Sequence, residues 1–453
     1  MEESPAKTSN SFKNKFEIIL CLIQAVLIIL IGIFTEYKYI EASELEGIFN
    51  ILDNSFTSQY SLFQHINVMI FIGFGFLMVF LKSHSWSSVG FTYLGAVIAI
   101  EVYIVSSGLW AGIIEDEWKS IQVNIELIVD AEFCAAAVLI SFGAILGKAS
   151  PSQLVVMAVF EAFIYTMNER IVLGKLDLVD IGGSISIHTF GAYFGLMVSW
   201  IISPLSTNRH PNNSPNYTSN TLTFIGTIFL WMYWPSFNAF LATGHARERI
   251  VLGTILSLSG SCISTFILSR YFKDGKMCME DVLNASLSGG VVVGASACLM
   301  KDPYIPLLIG TFTGALSTWG FEKLSPFLQR KIHLYDTCGI LNLHGMPGVL
   351  GGIVSIIVIG CTDDNEEYPD HSPGAQVGYQ FASLIVTLFT VLITGALVGL
   401  LIKSRFFEPP VELFTDHEFW SVDLNSSISY SNMQIDHSNQ HIPNNSHIFN
   451  YYY

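Results

Sequence analysis

The stretch Asp180-Ile-Gly-Gly-Ser-Ile-Ser-Ile-His188 returns, in its spacing, as Asp336-Thr-Cys-Gly-Ile-Leu-Asn-Leu-His344. Both read Asp-x-x-Gly-x-x-x-x-His, both lie in apolar surroundings, and a glycine follows each His within a few residues (Gly191, Gly345, Gly348). An ionisable side chain inside a hydrophobic segment costs about 2.5–3.5 kcal/mol by insertion scales and more by simulation, so it faces a polar partner or a pathway. Meeting that phrase twice points to an internally duplicated membrane protein whose two copies share one site.

Composition sets the class. Of 453 residues 51% are hydrophobic and only 13% charged, against about 25% charged in a typical soluble domain. The chain therefore reads as an all-α polytopic membrane protein. A formal net charge of −16 excludes nucleic acid as a partner, which requires a basic footprint. The seven cysteines include no C-x-x-C pair, so neither a disulfide framework nor a thiolate metal site is indicated, and no cofactor is expected.

Apolar runs of about 17–25 residues span a bilayer core, and twelve are found, at roughly 16–34, 62–81, 88–110, 121–147, 152–168, 180–203, 221–241, 250–270, 282–300, 304–321, 337–360 and 377–402. The first has a basic flank (Lys7, Lys13, Lys15) but is too long for a signal core and lacks a small-residue cleavage site; it reads as a retained helix, a cleaved signal being the alternative. With the N-terminus cytoplasmic, about two thirds of the 21 Lys and Arg fall on the cytoplasmic side, which puts both termini there. The expected organisation is a cytoplasmic arm over 1–15, a transmembrane domain over 16–403 and a cytoplasmic tail over 404–453. The Ser/Asn/His-rich end from about residue 425 reads as disordered.

Segments two to six and seven to eleven form two five-helix halves, with one helix left at each end. Five crossings invert the second half. Asp180 then starts near the outer face and Asp336 near the inner one, and at about 1.5 Å per residue each His lies roughly 12 Å inward, near the midplane where inverted-repeat transporters place their sites. Taken singly, each His also reads as a hydrogen-bonded packing residue; the matched pair favours a shared pathway. Both Asp read as helix N-terminal caps, Asp180 also shaping the route.

Longer stretches carry a resemblance: Asp180 to Gly195, Leu230-Trp-Met-Tyr-Trp-Pro-Ser-Phe-Asn238, Asp336 to Gly352, Glu132-Phe-Cys-Ala, Phe142 to Lys148, Asn284-Ala-Ser-Leu-Ser-Gly-Gly290 and Phe414-Thr-Asp-His-Glu-Phe-Trp420. Together these stretches resemble the Rhesus (Rh) glycoproteins, the eukaryotic branch of the ammonium transporter family, over about residues 15–420. The resemblance implies a homotrimer with one pore per subunit. It matches His188 and His344 to the twin pore histidines, Phe133 and Phe237 to a stacked aromatic gate, Asp180 to the acidic residue near the entrance and Glu169 to one in the outer vestibule. Asp336 is the structural twin of Asp180.

The sequence also departs from that pattern. The sequons at Asn212, Asn216, Asn425 and Asn444 fall on the cytoplasmic side and Asn284 in or at the edge of the membrane, so no sequon falls in an expected outer loop. Asp130 and Glu161 add acidic groups that either pair with neighbouring helices or charge a vestibule. The implied activity is passage of ammonia, recruited as ammonium and deprotonated; a dry pore rejects the ion, ring faces meet the cation at the gate, and uncharged imidazoles offer both donor and acceptor. Carbon dioxide passage and proton-coupled ammonium transport are the alternatives. An enzyme is not expected, with no H-E-x-x-H, G-x-S-x-G or P-loop present. The plasma membrane is the expected location, with vacuolar or endosomal membranes as the alternative.

Overall fold

The computed structural model describes residues 11–37, 49–208, 210–361, 368 and 370–422. The arm up to residue 10 and the end from about residue 425, with its sequons at Asn425 and Asn444, lie outside the described residues. Helix falls within each of the twelve apolar runs. Among the described residues, eight helices are long and apolar enough to cross a bilayer, from Lys15–Phe34 to Pro373–Ile402. The protein is a helical multi-pass membrane protein. Pro151–Glu169, Tyr217–Ala239, Met279–Ala285 with Ser288–Val292, and Tyr304–Trp319 fall short by the same measure, because they are shorter or carry more polar side chains.

Polar residues set several helix ends. Asn124 Oδ1 accepts from Leu127 N (2.8 Å) to start Ile125–Ile145, and Asn216 Oδ1 accepts from Ser219 N (2.8 Å) to start Tyr217–Ala239, the N-cap bond that satisfies an orphan donor. The Ser85–Glu115 helix is capped from far along the chain. Asp416 accepts from Trp86 N (3.0 Å) and Ser87 N (2.7 Å), Trp420 Nε1 donates to Ser87 Oγ (3.0 Å), and the fully buried Phe414 packs on the loop at Gly147. The first part of the tail, 404–422, is thus fastened to the helical body.

Small residues let the helices approach closely. A Cβ at Gly310 would stand 2.0 Å from Ser257 O, and at Gly289 2.3 Å from the same carbonyl, so Gly244–Phe272, Ser288–Val292 and Tyr304–Trp319 meet backbone to backbone. Gly191 and Gly195 do the same against Ala137 and Ser141 of Ile125–Ile145. Such small-residue contacts replace the hydrophobic drive that helix pairs lack in lipid. Large apolar side chains such as Leu22, Ile263, Phe381 and Phe389 face outward, the surface a bilayer covers. A short parallel pair, Thr35–Tyr37 on Ile121–Val123, ties the end of the first long helix to the loop before Ile125.

Candidate functional site

The repeated phrase folds twice in the same way. Asp180 Oδ2 accepts from Ile185 N (2.9 Å), Ser186 N (2.7 Å) and Ser186 Oγ (2.9 Å). Asp336 accepts from Gly339 N and Ile340 N (both 3.0 Å) and Leu341 N (2.9 Å). Gly183 and Gly339 take φ of +70° and +74°, a left-handed turn in which a side chain is strained. Each phrase then opens its helix with a π-helical turn, Ser184–Thr189 and Leu341–Gly345, and His188 and His344 sit on these turns. A π-turn widens the helix locally and is common where a helix carries function.

The two turns bring the histidines together. Nδ1 of His344 lies 3.2 Å from Nδ1 of His188, with ring centroids 5.2 Å apart and planes 17° from parallel. Both rings are buried, and Nε2 of His188 has no partner among the described residues. An Nδ1-to-Nδ1 bond needs a proton on one of those nitrogens and a lone pair on the other. In the neutral pair, one Nε2 is therefore an acceptor and the other a donor.

Aromatic rings extend the column on both sides. Phe237 lies 5.9 Å from His188 and 4.7 Å from Phe133, Trp234 flanks His188 at 5.6 Å, and Phe74 stacks on His344 at 6.2 Å. Phe133 and Phe237 meet at 67°, edge to face rather than stacked. Edge-to-face contact is as favourable as offset stacking, and the lateral packing of Phe240 on Phe133 (6.4 Å, 83°) holds the tilt. Asp180 lines a cavity of about 360 Å³ with Asp177, Tyr368, His371 and Gln376. Asp336 lines another, of about 370 Å³, with Lys273, Glu280, Asp281 and Glu322.

Glu169 is paired within the helical body. It is only 9% exposed, and its carboxylate accepts from Tyr103 Oη (2.6 Å) and Tyr165 Oη (3.3 Å). Tyr165 lies one turn before Glu169 on the same helix; sequence alone does not show that Tyr103 meets this face from the Ser85–Glu115 helix. Glu161 accepts from Ser141 Oγ on the preceding helix, Ile125–Ile145, the pairing alternative. Arg170 pairs with Glu115 at 3.6 Å.

One functional candidate went unread in the sequence. Lys148, counted there as a loop charge, is 2% exposed; its Nζ donates to Ser199 Oγ (2.8 Å) and to the carbonyl of Tyr335, the residue before Asp336. It anchors the base of the His344 turn. Nothing in the sequence signals this, since a lysine ending an apolar run is the ordinary mark of a membrane boundary.

Fold and site together define a multi-pass membrane protein built around a narrow, buried column of aromatic and imidazole rings. The chain belongs to the Ammonium Transporter Family, whose model matches residues 22–407. It is 42% identical over 431 residues to Ammonium transporter Rh type B of Mus musculus, covering 89% of this chain and 92% of the mouse protein. To Ammonium transporter Rh type C of Canis lupus familiaris it is 38% identical over 432 residues, covering 88% and 92%. Among solved structures it resembles the one described as "Nitrosomonas europaea Rh50 and mechanism of conduction by Rhesus protein family of channels", with a TM-score of 0.72 and 30% identity over 84% of this chain and 97% of that one.

Proposed function

We propose that this protein is an Rh-type channel that passes ammonia, recruited as ammonium and deprotonated, down its gradient across a membrane. The observation that carries this reading is the buried His188–His344 contact, 3.2 Å between Nδ1 atoms, continued by the Phe237–Phe133 pair. A bare cation among these rings would lose its hydration without a counter-charge, a cost of several kcal/mol even after relaxation, whereas neutral ammonia needs one donor and one acceptor. The histidine pair supplies both. Asp180 and Asp336 hold the two turns in place, and Phe133 with Phe237 forms the gate. Glu169, held by two tyrosine hydroxyls, lies with Asp180 on the entrance and vestibule side in this reading.

The wider architecture in this reading is twelve crossings in two inverted five-helix halves with a helix at each end, within a transmembrane domain over 16–403. The matching Asp cap, left-handed Gly and π-turn in both halves support it. Three copies assemble as a homotrimer with both termini cytoplasmic, in the plasma membrane. The test is reconstitution into liposomes with internal pH and membrane current recorded together under an ammonium gradient. Internal alkalinisation without current is the expected result. Current in proportion to uptake refutes neutral passage and favours ammonium or a proton-coupled cycle; no response to ammonium, with acceleration of carbon dioxide entry, refutes the ammonia reading in favour of that gas.

A further inference from the structure

At the Asp336-side cavity, which Asp281 and Glu322 line, lies a cluster that the ring column does not use. Cys278 and Asp281, at the start of the Met279–Ala285 helix, meet Glu322 of the π-helical turn Gly320–Leu324. One ligand-capable atom from each, a thiol sulfur and two carboxylate oxygens, lies within 4.8 Å of the other two. The bond from Cys278 N to Ser269 Oγ (2.8 Å) fixes the cysteine at the end of the preceding loop. Three residues on, Asp281 falls on the same side of the first turn.

Asp281 supplies the second, independent observation. It is 1% exposed, yet neither carboxylate oxygen has a hydrogen-bond partner in good geometry among the described residues. Burial is the largest influence on it, ahead of a weak approach of the Ser269 hydroxyl, opposition from Glu322 and attraction from the Lys273 ammonium. A buried carboxylate that no cation bonds directly is costly, so the site is short of positive charge at its centre. The nearby cation, Lys273, is 41% exposed and bonds Glu322 instead, at 2.7 Å. Its stem reaches out to solvent and can withdraw.

We propose that Cys278, Asp281 and Glu322 form a binding site for a borderline-soft divalent cation of the zinc type. Sulfur beside two carboxylates disfavours magnesium and calcium, which take oxygen donors, and suits zinc or cadmium. Zinc bonds of about 2.0–2.3 Å place tetrahedral donors roughly 3.3–3.8 Å apart, so the cluster closes by about an ångström around the ion. Water completes the fourth position. On binding, the thiol proton passes to solvent and the Lys273 ammonium leaves Glu322, making Lys273 a competitor for the site. Sequence spacing gave no sign of it, because Glu322 joins from 44 residues beyond Cys278.

The test uses the full chain in detergent, titrated with cadmium and read by the ultraviolet thiolate-to-cadmium charge-transfer band. One ion per protomer is expected, displaced by zinc and indifferent to excess magnesium. Cys278→Ser abolishes the band, Glu322→Gln weakens binding by at least about tenfold, and Lys273→Gln tightens it. Should Cys278→Ser fail to fold, the latter two variants decide, since both alter partly exposed groups. A missing band in the parent, a band that survives Cys278→Ser, or affinities unmoved in both Glu322→Gln and Lys273→Gln each overturns the proposal.

Discussion

Replacing His344 with Leu removes the partner of His188 Nδ1, in a site where His188 Nε2 already has none among the described residues. An unpaired buried ring nitrogen costs about 1–3 kcal/mol, so the variant remains folded. The same loss falls on the passing molecule, which meets one hydrogen-bonding station fewer. At about 1.36 kcal/mol per factor of ten, a barrier raised by about 1–3 kcal/mol slows passage roughly 5- to 150-fold. His188→Leu acts in the same direction. His344→Glu instead places a carboxylate beside His188, able to accompany a cation, and current appears with uptake. The assay is stopped-flow internal pH in proteoliposomes carrying equal amounts of folded protein, with current recorded in parallel. If both Leu variants fold and alkalinise the lumen at the parental rate, the pair is packing alone and the mechanism fails.

Phe237→Ala opens the ring column beside Phe133 and His188; a buried Phe truncated to Ala costs about 3–5 kcal/mol of stability, seen as a lowered melting temperature, and ion leak rises in the liposome current. Lys148→Met leaves the Tyr335 carbonyl with the Ser199 hydroxyl alone, costs about 1–3 kcal/mol and slows ammonia passage by loosening the His344 turn; a melting temperature and flux equal to the parent's would show the lysine to be idle. His84 binds the carbonyl of Thr415 (3.2 Å) and stands 3.9 Å from Asp416. Burial lowers its pKa below the ordinary 6.5 despite the nearby carboxylate and carbonyl. The unfolded chain then binds more protons below about pH 6.5, so stability falls as pH drops from there towards the folded-state value. Proteolysis of the tail should rise from pH 7.5 to 5.5 in the parent and stay flatter in His84→Gln, and equal pH profiles would contradict this.

The repeated phrase was legible because a rule with a cost stands behind each part of it: a carboxylate that caps, a glycine that turns left-handed, an imidazole too expensive to leave in apolar surroundings. Helix positions followed from apolar run length. The break of the run at 282–300 into two short helices, Met279–Ala285 and Ser288–Val292, was not legible from apolar length. Side-chain environment was the least legible, because it depends on which helix faces which. Glu169 under Tyr103, Lys148 beneath Tyr335, and the edge-on meeting of Phe133 with Phe237 all arise from contacts between distant segments. The π-turns carry no spacing signature of their own, for the residues that make them would also fit an α-helix.

The carboxylate that caps the Ser85–Glu115 helix belongs to Asp416, about 330 residues downstream. During synthesis that helix enters the membrane with its leading N–H groups bare, and they stay so until nearly the whole chain has left the ribosome. Closure of Phe414 over Gly147 and of Trp420 onto Ser87 is a finishing step. A chain cut short before Phe414 would leave an apolar socket and a frayed helix start on one face, a mark by which cellular quality control can tell an unfinished molecule from a complete one.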